Sequence, residues 1–475
     1  MIRNSIIFSF LLFGMGFSLS AQQAWSLEDC IQYAMENNIQ IKQSVLNTEY
    51  NENLLKQSKL GQIPNLSGSA NYTYSWGRAL DQTTYQYTDN QQISSTSMGL
   101  SSYTNLFNGL QARNTIVQNR LNLMASYEDV QKVKNDISLN IAAAYLSIMF
   151  NKELLTVTGS QMEITGQQVE RTKKMVDAGK LARGNFLELR AQYASEELNI
   201  VNAENQLAIS LLNLQQTLDL PIDTAFDVVI PDLADPDEDP LVVNALDVYR
   251  TAEQEMPEIK SAMLGLESAE KGLAIAKGGR SPQLYLSANF NTGYSDIREQ
   301  VINLSDPVPI PIGVTASGET VFTTNPQGIP EYGAYPFFEQ MRDNTSTGIG
   351  LGLSIPIFNG WQVNTSIANA RIMHKNAELD LQSKKLTLYA TIQQAYADAL
   401  AALKKFNATQ QALTSMEESF KYTEKKFEVG LVNTVDYNMS KNQLISTQSD
   451  LLQAKYDFIF RTKILNFYQG EPITL

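Results

Sequence analysis

One cysteine and one histidine occur in 475 residues. Cys30 has no second thiol with which to close an internal disulfide, and Cys30 with His374 makes too few ligands for a structural zinc site. His374 is the single imidazole, and nothing near it in the sequence resembles a serine–histidine–aspartate triad. No Gly-x-x-x-x-Gly-Lys-(Ser/Thr) stretch occurs, so the phosphate-cradling loop of nucleotide hydrolases is missing. These absences predict no enzyme, no cofactor and no metal site. The net charge of −14 has the wrong sign for neutralising phosphates, which argues against a nucleic-acid partner. Long apolar runs are missing too. Ile6 to Leu19, with Arg3 before it and Ser18, Ser20 and Ala21 at its end, falls short of the roughly 20 residues a spanning helix needs. That pattern predicts a signal peptide over 1–21. An exported chain without a spanning helix can cross a membrane only as a closed β-barrel.

What the chain has instead is a copy of itself. Around Phe107 it reads Leu106-Phe107-Asn108-Gly109-Leu110-Gln111, and around Phe358 it reads Ile357-Phe358-Asn359-Gly360-Trp361-Gln362. This offset of 251 pairs Leu100 with Leu351, Arg120 with Arg371, Ile141 with Ile392 and Tyr145 with Tyr396. It goes on to pair Gly179 with Gly430, Gln192 with Gln443 and Pro221 with Pro472. Upstream the offset is 218, matching Ala34, Ile41, Lys42, Gly61 and Pro64 to Ala252, Ile259, Lys260, Gly279 and Pro282. The second copy therefore carries about 33 extra residues, between Tyr294 and Leu351. The expected organisation is a first repeat over 22–220, an acidic linker over 221–244 and a second repeat over 245–475 with a long loop at 296–344.

Each repeat changes period twice. Leu27 to Leu60 reads as a helix, with Ile31, Ala34, Ile41, Val45 and Leu55 on one face. Its counterpart, Tyr249 to Ala276, keeps a tight 3–4 alternation of apolar residues, the seam of a coiled coil. Gly61 to Pro64 and Gly278 to Pro282 stop both. Alternation of two follows: Leu66, Gly68, Ala70, Tyr72, Tyr74 and Trp76 oppose Ser67, Ser69, Asn71, Thr73 and Ser75. Leu284, Leu286, Ala288, Phe290 and Tyr294 likewise oppose Ser287, Asn289 and Asn291, and return strands are expected over Ser95 to Phe107 and Thr345 to Phe358. Ten-residue strands, apolar on one face, small and polar on the other, with aromatics toward the ends, suit a membrane barrel. Four strands close no barrel alone, since the smallest have about eight. Several chains must then share one.

Long helical patterns begin after Asn108-Gly109 and Asn359-Gly360, where each Asn is expected as an N-cap. They run to about Ala178 and Val429, roughly 100 Å each if unbroken. In the first, Val117, Leu121, Met124, Val130, Val133, Ile137, Ile141, Tyr145 and Ile148 form a narrow stripe. Helices resume near Asn185 and Asp436 and end near Leu218 and Gln469, so each repeat holds a long helical hairpin with a glycine at its tip. The linker run Asp232, Asp235, Asp237, Glu238, Asp239 lacks calcium-loop spacing and reads as solvated. The loop over 296–344 has no clear period, with Pro307, Pro309, Pro311, Tyr332, Phe337 and Phe338 among its residues.

This duplicated order resembles the TolC-type outer-membrane efflux channel family over nearly the whole mature chain. The resemblance rests on the Leu-Phe-Asn-Gly and Ile-Phe-Asn-Gly junctions and on a tip pattern that occurs twice. That pattern is Gly179, Asn185, Arg190, Gln192 in one copy and Gly430, Asp436, Lys441, Gln443 in the other. It implies an α+β membrane protein with internal duplication: four transmembrane β-strands per chain in a shared trimeric β-barrel, and α-helical coiled-coil hairpins forming a tunnel across the periplasm. The implied homotrimer sits in outer-membrane lipid, docks a periplasmic adaptor (membrane fusion) protein and an inner-membrane pump, and passes small molecules passively. An exit duct for type I protein secretion shares these features, and a periplasmic adaptor shares the long hairpins but not the four alternating strands. By the same resemblance Gly179, Asn185, Gly430 and Asp436 are the candidate periplasmic aperture or adaptor contact. Val432 stands where the family often has an arginine, Asp436 alone matches an aspartate ring, and Met439 takes the next such place. Asp436 also reads as an ordinary helix cap. Cys30 follows Glu28-Asp29, which is no lipoprotein cleavage context, so anchoring falls to the barrel.

Overall fold

The computed structural model describes residues 24–474 apart from 79, 81–86, 88–89, 222–225, 232–243 and 324–327. The expected signal peptide and the acidic run of the linker lie outside the described residues. The chain forms two compact units, one of which includes Leu123–Leu266 and the chain from Ala377 onward together with the residues up to Asn51. Glu52–Asn122 and Glu267–Asn376 make up the other.

The first unit is helical, and its duplication is literal. Helices α3 (Gln111–Asp177) and α8 (Gln362–Glu428) have 67 residues each, and α4 (Arg183–Thr217) and α9 (Thr434–Tyr468) have 35 each. The amino-terminal helix expected over Leu27 to Leu60 is in fact two, α1 (Leu27–Asn37) and α2 (Ile39–Leu60). Its counterpart is likewise two, α5 (Ala245–Glu255) and α6 (Pro257–Gly278). Both breaks fall at matching positions, Asn38 and Met256, which are extended and donate their backbone N–H to Ala34 and Ala252. Pro257 explains the second break, because a proline disfavours the helical conformation in the residue before it. Asn38 makes the first with its side chain: Oδ1 accepts from the N–H of Gln40 (2.8 Å) and Ile41 (3.3 Å), while Nδ2 donates to the Thr217 carbonyl (3.1 Å). A capping box starts α1, with the Asp29 N–H donating to Ser26 Oγ (3.1 Å) and the Ser26 N–H to Asp29 Oδ2 (3.0 Å). The same bond to the Ser26 N–H holds the Asp29 carboxyl below its usual range.

The main core of this unit gathers Leu27, Cys30, Ala34, Ile137, Ile141, Ile148, Met149, Leu214, Leu218 and Phe226. Each fully buried Leu or Ile contributes about 1.5–3 kcal/mol. Tyr145 lies among them, its hydroxyl 2.5 Å from the Val229 carbonyl and 3.1 Å from that of Trp25, and burial raises its pKa. The strand-like pair Trp25 and Val228 is thereby fastened to α3, and Lys152 adds an ion pair of 2.5 Å to Asp227. The apolar stripe read on α3 joins this core from Val133 to Ile148, while Met124 is exposed. Cys30 is buried on α1, and His374 lies half-buried on α8.

Strands β1 (Ser67–Gly77), β2 (Gln91–Phe107), β3 (Gln283–Ser295) and β8 (Ser346–Ser354) lie in the second unit and form one antiparallel sheet in the order β1-β2-β3-β8. The return strand of the second copy stops four residues before its expected end, because Pro356 has no N–H for the ladder. Its first-copy counterpart starts earlier than expected, at Gln91. Registers carry the alternation across the whole sheet. Gly68, Leu100, Phe290 and Thr347 align on one face, and Ser67, Ser101, Asn289 and Gly348 on the other. The polar face is crowded where glycines face large neighbours. A Cβ on Gly352 would lie 2.1 Å from the Tyr285 ring, and one on Gly99 would lie 2.6 Å from Asn291 Oδ1. Glycine there makes room for side chains of the adjacent strand.

The long loop of the second copy has structure that its sequence concealed: β4 (Glu299–Leu304) pairs with β7 (Pro330–Ala334), and β5 (Pro311–Val314) with β6 (Thr320–Phe322). Helix α7 (Phe337–Asp343) ties the loop to β3 through Gln340, which is fully buried. Gln340 Oε1 accepts from the Ser295 N–H (3.0 Å), and its Nε2 donates to the carbonyls of Ser295 and Tyr335, both at 2.9 Å. Both amide protons and the amide oxygen are thus engaged.

Candidate functional site at the hairpin tips

Both tips end their long helix the same way. Gly179 (φ 72°) and Gly430 (φ 79°) take the left-handed conformation that an L side chain resists. The residue after each closes the turn: the Lys180 N–H donates to Met175 and the Leu431 N–H to Lys426, both at 2.9 Å. The next helices begin two residues earlier than expected, at Arg183 and Thr434. Neither Asn185 nor Asp436 is therefore an N-cap. Asn433 caps α9, its Oδ1 accepting from the Asp436 N–H at 2.8 Å, and the matching residue of the first copy is Ala182, which offers no side-chain bond. Asp436 sits in the first turn with its side chain exposed.

Asn185 and Gly430 are brought together: both line a cavity of about 440 Å³ between the two tips, with Arg171, Lys180, Phe427 and Asn433. Gly179 and Asp436 do not line it. Arg171 and Glu428 form an exposed ion pair at 2.8 Å from α3 to α8, which in water adds well under about 1 kcal/mol. Beneath the turn, Tyr437 is buried and stacks on Phe427 with ring centroids 4.6 Å apart. Burial raises its pKa. Val429, Leu431, Val435 and Met439 stay exposed around the tip.

A charged cluster lies along α9, where the sequence reading placed Lys441 in the tip pattern but did not single out its partners. Lys441 and Glu196 are almost entirely buried, with the ammonium 3.2 Å from Glu196 Oε1 and 3.1 Å from the Gln161 carbonyl. Lys441 also donates to the Thr165 hydroxyl, which in turn donates to the second Glu196 oxygen. Burial pushes the Lys441 pKa down against the pull of Glu196. The signal was present in the spacing. Tyr437, Lys441 and Leu444 share one buried stripe of α9, and Leu189, Glu196, Ala203 and Ser210 recur at sevens along the buried face of α4.

Among the described residues no cluster of His, Cys, Asp or Glu could hold a metal ion, and no helix is long and apolar enough to cross a membrane. The sheet is the element built for one. An extended sheet with an apolar face and a small-polar face, in one chain with paired coiled-coil hairpins, defines a channel-forming outer-membrane protein. A family profile described as outer membrane efflux protein matches residues 30–219 and 248–461, and the chain belongs to that family. It is 24% identical to the outer membrane protein TolC of Escherichia coli (strain K12) over 446 residues, covering 94% of this chain and 82% of that protein. It is also 21% identical to the alkaline protease secretion protein AprF of Pseudomonas aeruginosa, covering 97% and 88%. Among solved structures, the fold is similar to that of CusC (TM-score 0.72, 16% identity, 96% of each chain). The outer membrane protein VceC of Vibrio cholerae is similar as well (TM-score 0.73, 15% identity, 94% of this chain and 96% of that one). The chain is thus a subunit of an outer-membrane efflux channel, and its relatives are channel proteins, not enzymes.

Proposed function

We propose that three copies of this chain close one twelve-stranded barrel and serve as the passive exit duct of an efflux system, docked at their hairpin tips by a periplasmic adaptor and an inner-membrane pump. The observation that carries this reading is the open sheet. β1 and β8 are edge strands, and a bilayer leaves no water to satisfy their free backbone groups. The internal repeat supplies the closing register. Within the chain Leu100 lies opposite Phe290, and the counterparts of these residues at offsets 251 and 218 are Leu351 and Tyr72. Leu351 of one copy therefore pairs with Tyr72 of the next, and Gly352 with Asn71. The exposed Val429 and Leu431 beside Gly430, with Gly179, Asn185 and Asp436, form the surface for the adaptor.

Purified protein in detergent is expected at the mass of three chains. Cysteines placed at Leu351 and Tyr72 should cross-link neighbouring copies on mild oxidation, because directly opposed Cα atoms lie about 4.5–5.5 Å apart. The pair Leu351 with Tyr74, about 7–8 Å apart on the diagonal, should cross-link far less. A stable monomer in membranes would sink the trimer, and preferred coupling of Leu351 to Tyr74 would overturn the register. Leu431→Asp should abolish efflux-dependent drug resistance while the trimer mass stays unchanged.

A further inference from the structure

The insert between β3 and β8 is rooted over the polar face of the sheet. Ser75, Ile93, Ser95, Gly293 and Ser295 belong to that face, because the strand registers put them on the side of Asn289. At the strand ends they line a cavity of about 410 Å³ together with Arg298, Gln340 and Asn344 of the insert. Asn344 Nδ2 donates to the Gly293 carbonyl at 2.7 Å, and Arg298 Nη1 donates to Asn344 Oδ1 at 2.7 Å. Ile93, an apolar residue on a small-polar face, is only 8% exposed. The root of the insert therefore leans over the side that a membrane barrel turns toward its lumen.

Beyond this root the insert presents a surface that suits another copy of itself. Every residue from Pro311 to Phe322, the β5–β6 hairpin, is exposed in the single chain, Ile312 at 68% and Val314 at 71%. A lone two-stranded hairpin is marginal in water and needs a further layer against its apolar side chains. Between 307 and 330 the one charged residue is Glu319, whereas Asp296, Arg298, Glu299 and Asp306 precede that stretch and Glu331 and Glu339 follow it. Surfaces that meet around a symmetry axis bring identical charges together, so a self-contact has to be nearly free of them. The whole insert over 296–344 holds seven carboxylates against two arginines, which disfavours the anionic headgroups of a lipid surface as the occupant. The distances fit as well. Twelve strands about 4.8 Å apart and tilted about 40° enclose a ring roughly 24 Å across, and β4 and β5 extend roughly 20 and 13 Å at about 3.3 Å per residue. We propose that the β5–β6 hairpin of each copy docks on its equivalents in the other two, so that three inserts roof the outer exit of the channel. This rests on the three-copy ring proposed above.

Single cysteines in the full-length channel test the contact. Oxidised Ile312→Cys should give a two-chain band on a denaturing gel, at a yield that dilution does not change. Phe338→Cys, exposed but on α7 at the root, should stay monomeric, because roots on a ring of that size stand roughly 20 Å apart and a disulfide spans at most about 7 Å between Cα atoms. Cys30 is buried and stays out of the reaction. The roof itself is read from outside the cell. Asn289→Cys, on the polar face, should react slowly with a polyethylene-glycol maleimide too bulky for outer-membrane porins. Replacing 308–328 with a Gly-Ser turn should speed that labelling several-fold. Ile312→Glu with Val314→Glu, which keeps the insert at full length but sets like charges against one another, should do the same. Ile312→Cys that stays monomeric, or labelling that neither variant changes, would overturn the proposal. Failure of the ring reads out separately, since the Leu351 and Tyr72 cysteines would then give no cross-link between copies.

Discussion

Gly109 and Gly278 meet backbone to backbone: a Cβ added to Gly109 would lie 2.4 Å from the Gly278 carbonyl oxygen, and one added to Gly278 would lie 2.6 Å from that of Gly109. The strand-to-helix junction of the first repeat thus packs on the end of α6 from the second, with no space for a methyl group. Gly109 also has φ 66°, so Gly109→Ala combines an overpacking cost of about 1–3 kcal/mol with a left-handed backbone cost of about 1–2 kcal/mol. Gly179→Ala, with φ 72° and nothing near its would-be Cβ, should bear only the second. Heat-induced dissociation followed on gels should show a much larger loss of stability for Gly109→Ala than for Gly179→Ala.

Cys30 should be inert. Burial, then the neighbouring Asp29 and Glu28, pushes its thiol up to about 12, against about 8.5 in an unfolded chain. Because the folded pKa is the higher one, the stabilisation this group provides is present below about pH 8.5 and is lost as pH rises toward the folded value. Maleimide at pH 8 should label Cys30 in denaturant and leave the folded protein unmodified over the same interval. Fast labelling of the native channel would show that α1 detaches from α3.

Much of this fold was legible because the chain states it twice. The lengths of α3, α4, α8 and α9, the tip glycines and the two faces of the sheet all follow from period and offset. What stayed hidden depended on side chains acting at a distance in sequence. Asn38 breaks a helical pattern by reaching Thr217, which no local rule signals. Met256 could have been read, since Pro257 follows it, but the apolar alternation across the break masked it. The caps beside Gly109 and Gly360 were misplaced by two residues, because the chain takes two left-handed residues at each junction, Gly109 with Leu110 and Gly360 with Trp361. Asn108 Oδ1 still accepts from the Ala112 N–H at 3.2 Å, while at Asn359 the turn closes through its backbone carbonyl. At the site, Lys441 was read only as a member of the tip pattern, and its pairing with Glu196 escaped notice because a charged residue on an apolar stripe reads as an exposed exception until its partner is seen.

The two faces of the sheet should respond oppositely to charge. Leu286 lies opposite Leu351 and Thr104 on the apolar face, and Asn289 lies opposite Gly348 and Ser101 on the polar one. Leu286→Arg should cost about 2–4 kcal/mol if it falls near the bilayer midplane and reduce the folded channel recovered from outer membranes. Asn289→Arg should be recovered normally and shift ion selectivity toward anions. Equal recovery of both variants would assign the sheet to water.

Capping and charge are separable at the second tip, since the structure divides between two residues what the sequence placed on one. Asn433 carries the cap through its Oδ1 on the Asp436 N–H. The Asp436 carboxylate is exposed in the first turn of α9, free to project charge into an aperture. Asn433→Ala should then loosen the tip by about 1 kcal/mol, visible as faster proteolysis at the tip with ion selectivity kept. Asp436→Asn should leave the cap intact and, if the proposed trimer brings three such carboxylates to a narrow mouth where they reinforce one another's field, lower cation preference and block by multivalent cations. If Asp436→Asn leaves both selectivity and block unchanged, the carboxylate faces away from the passage. The aperture charge then has to be sought among the residues around Asn185 and Lys180 on the other tip.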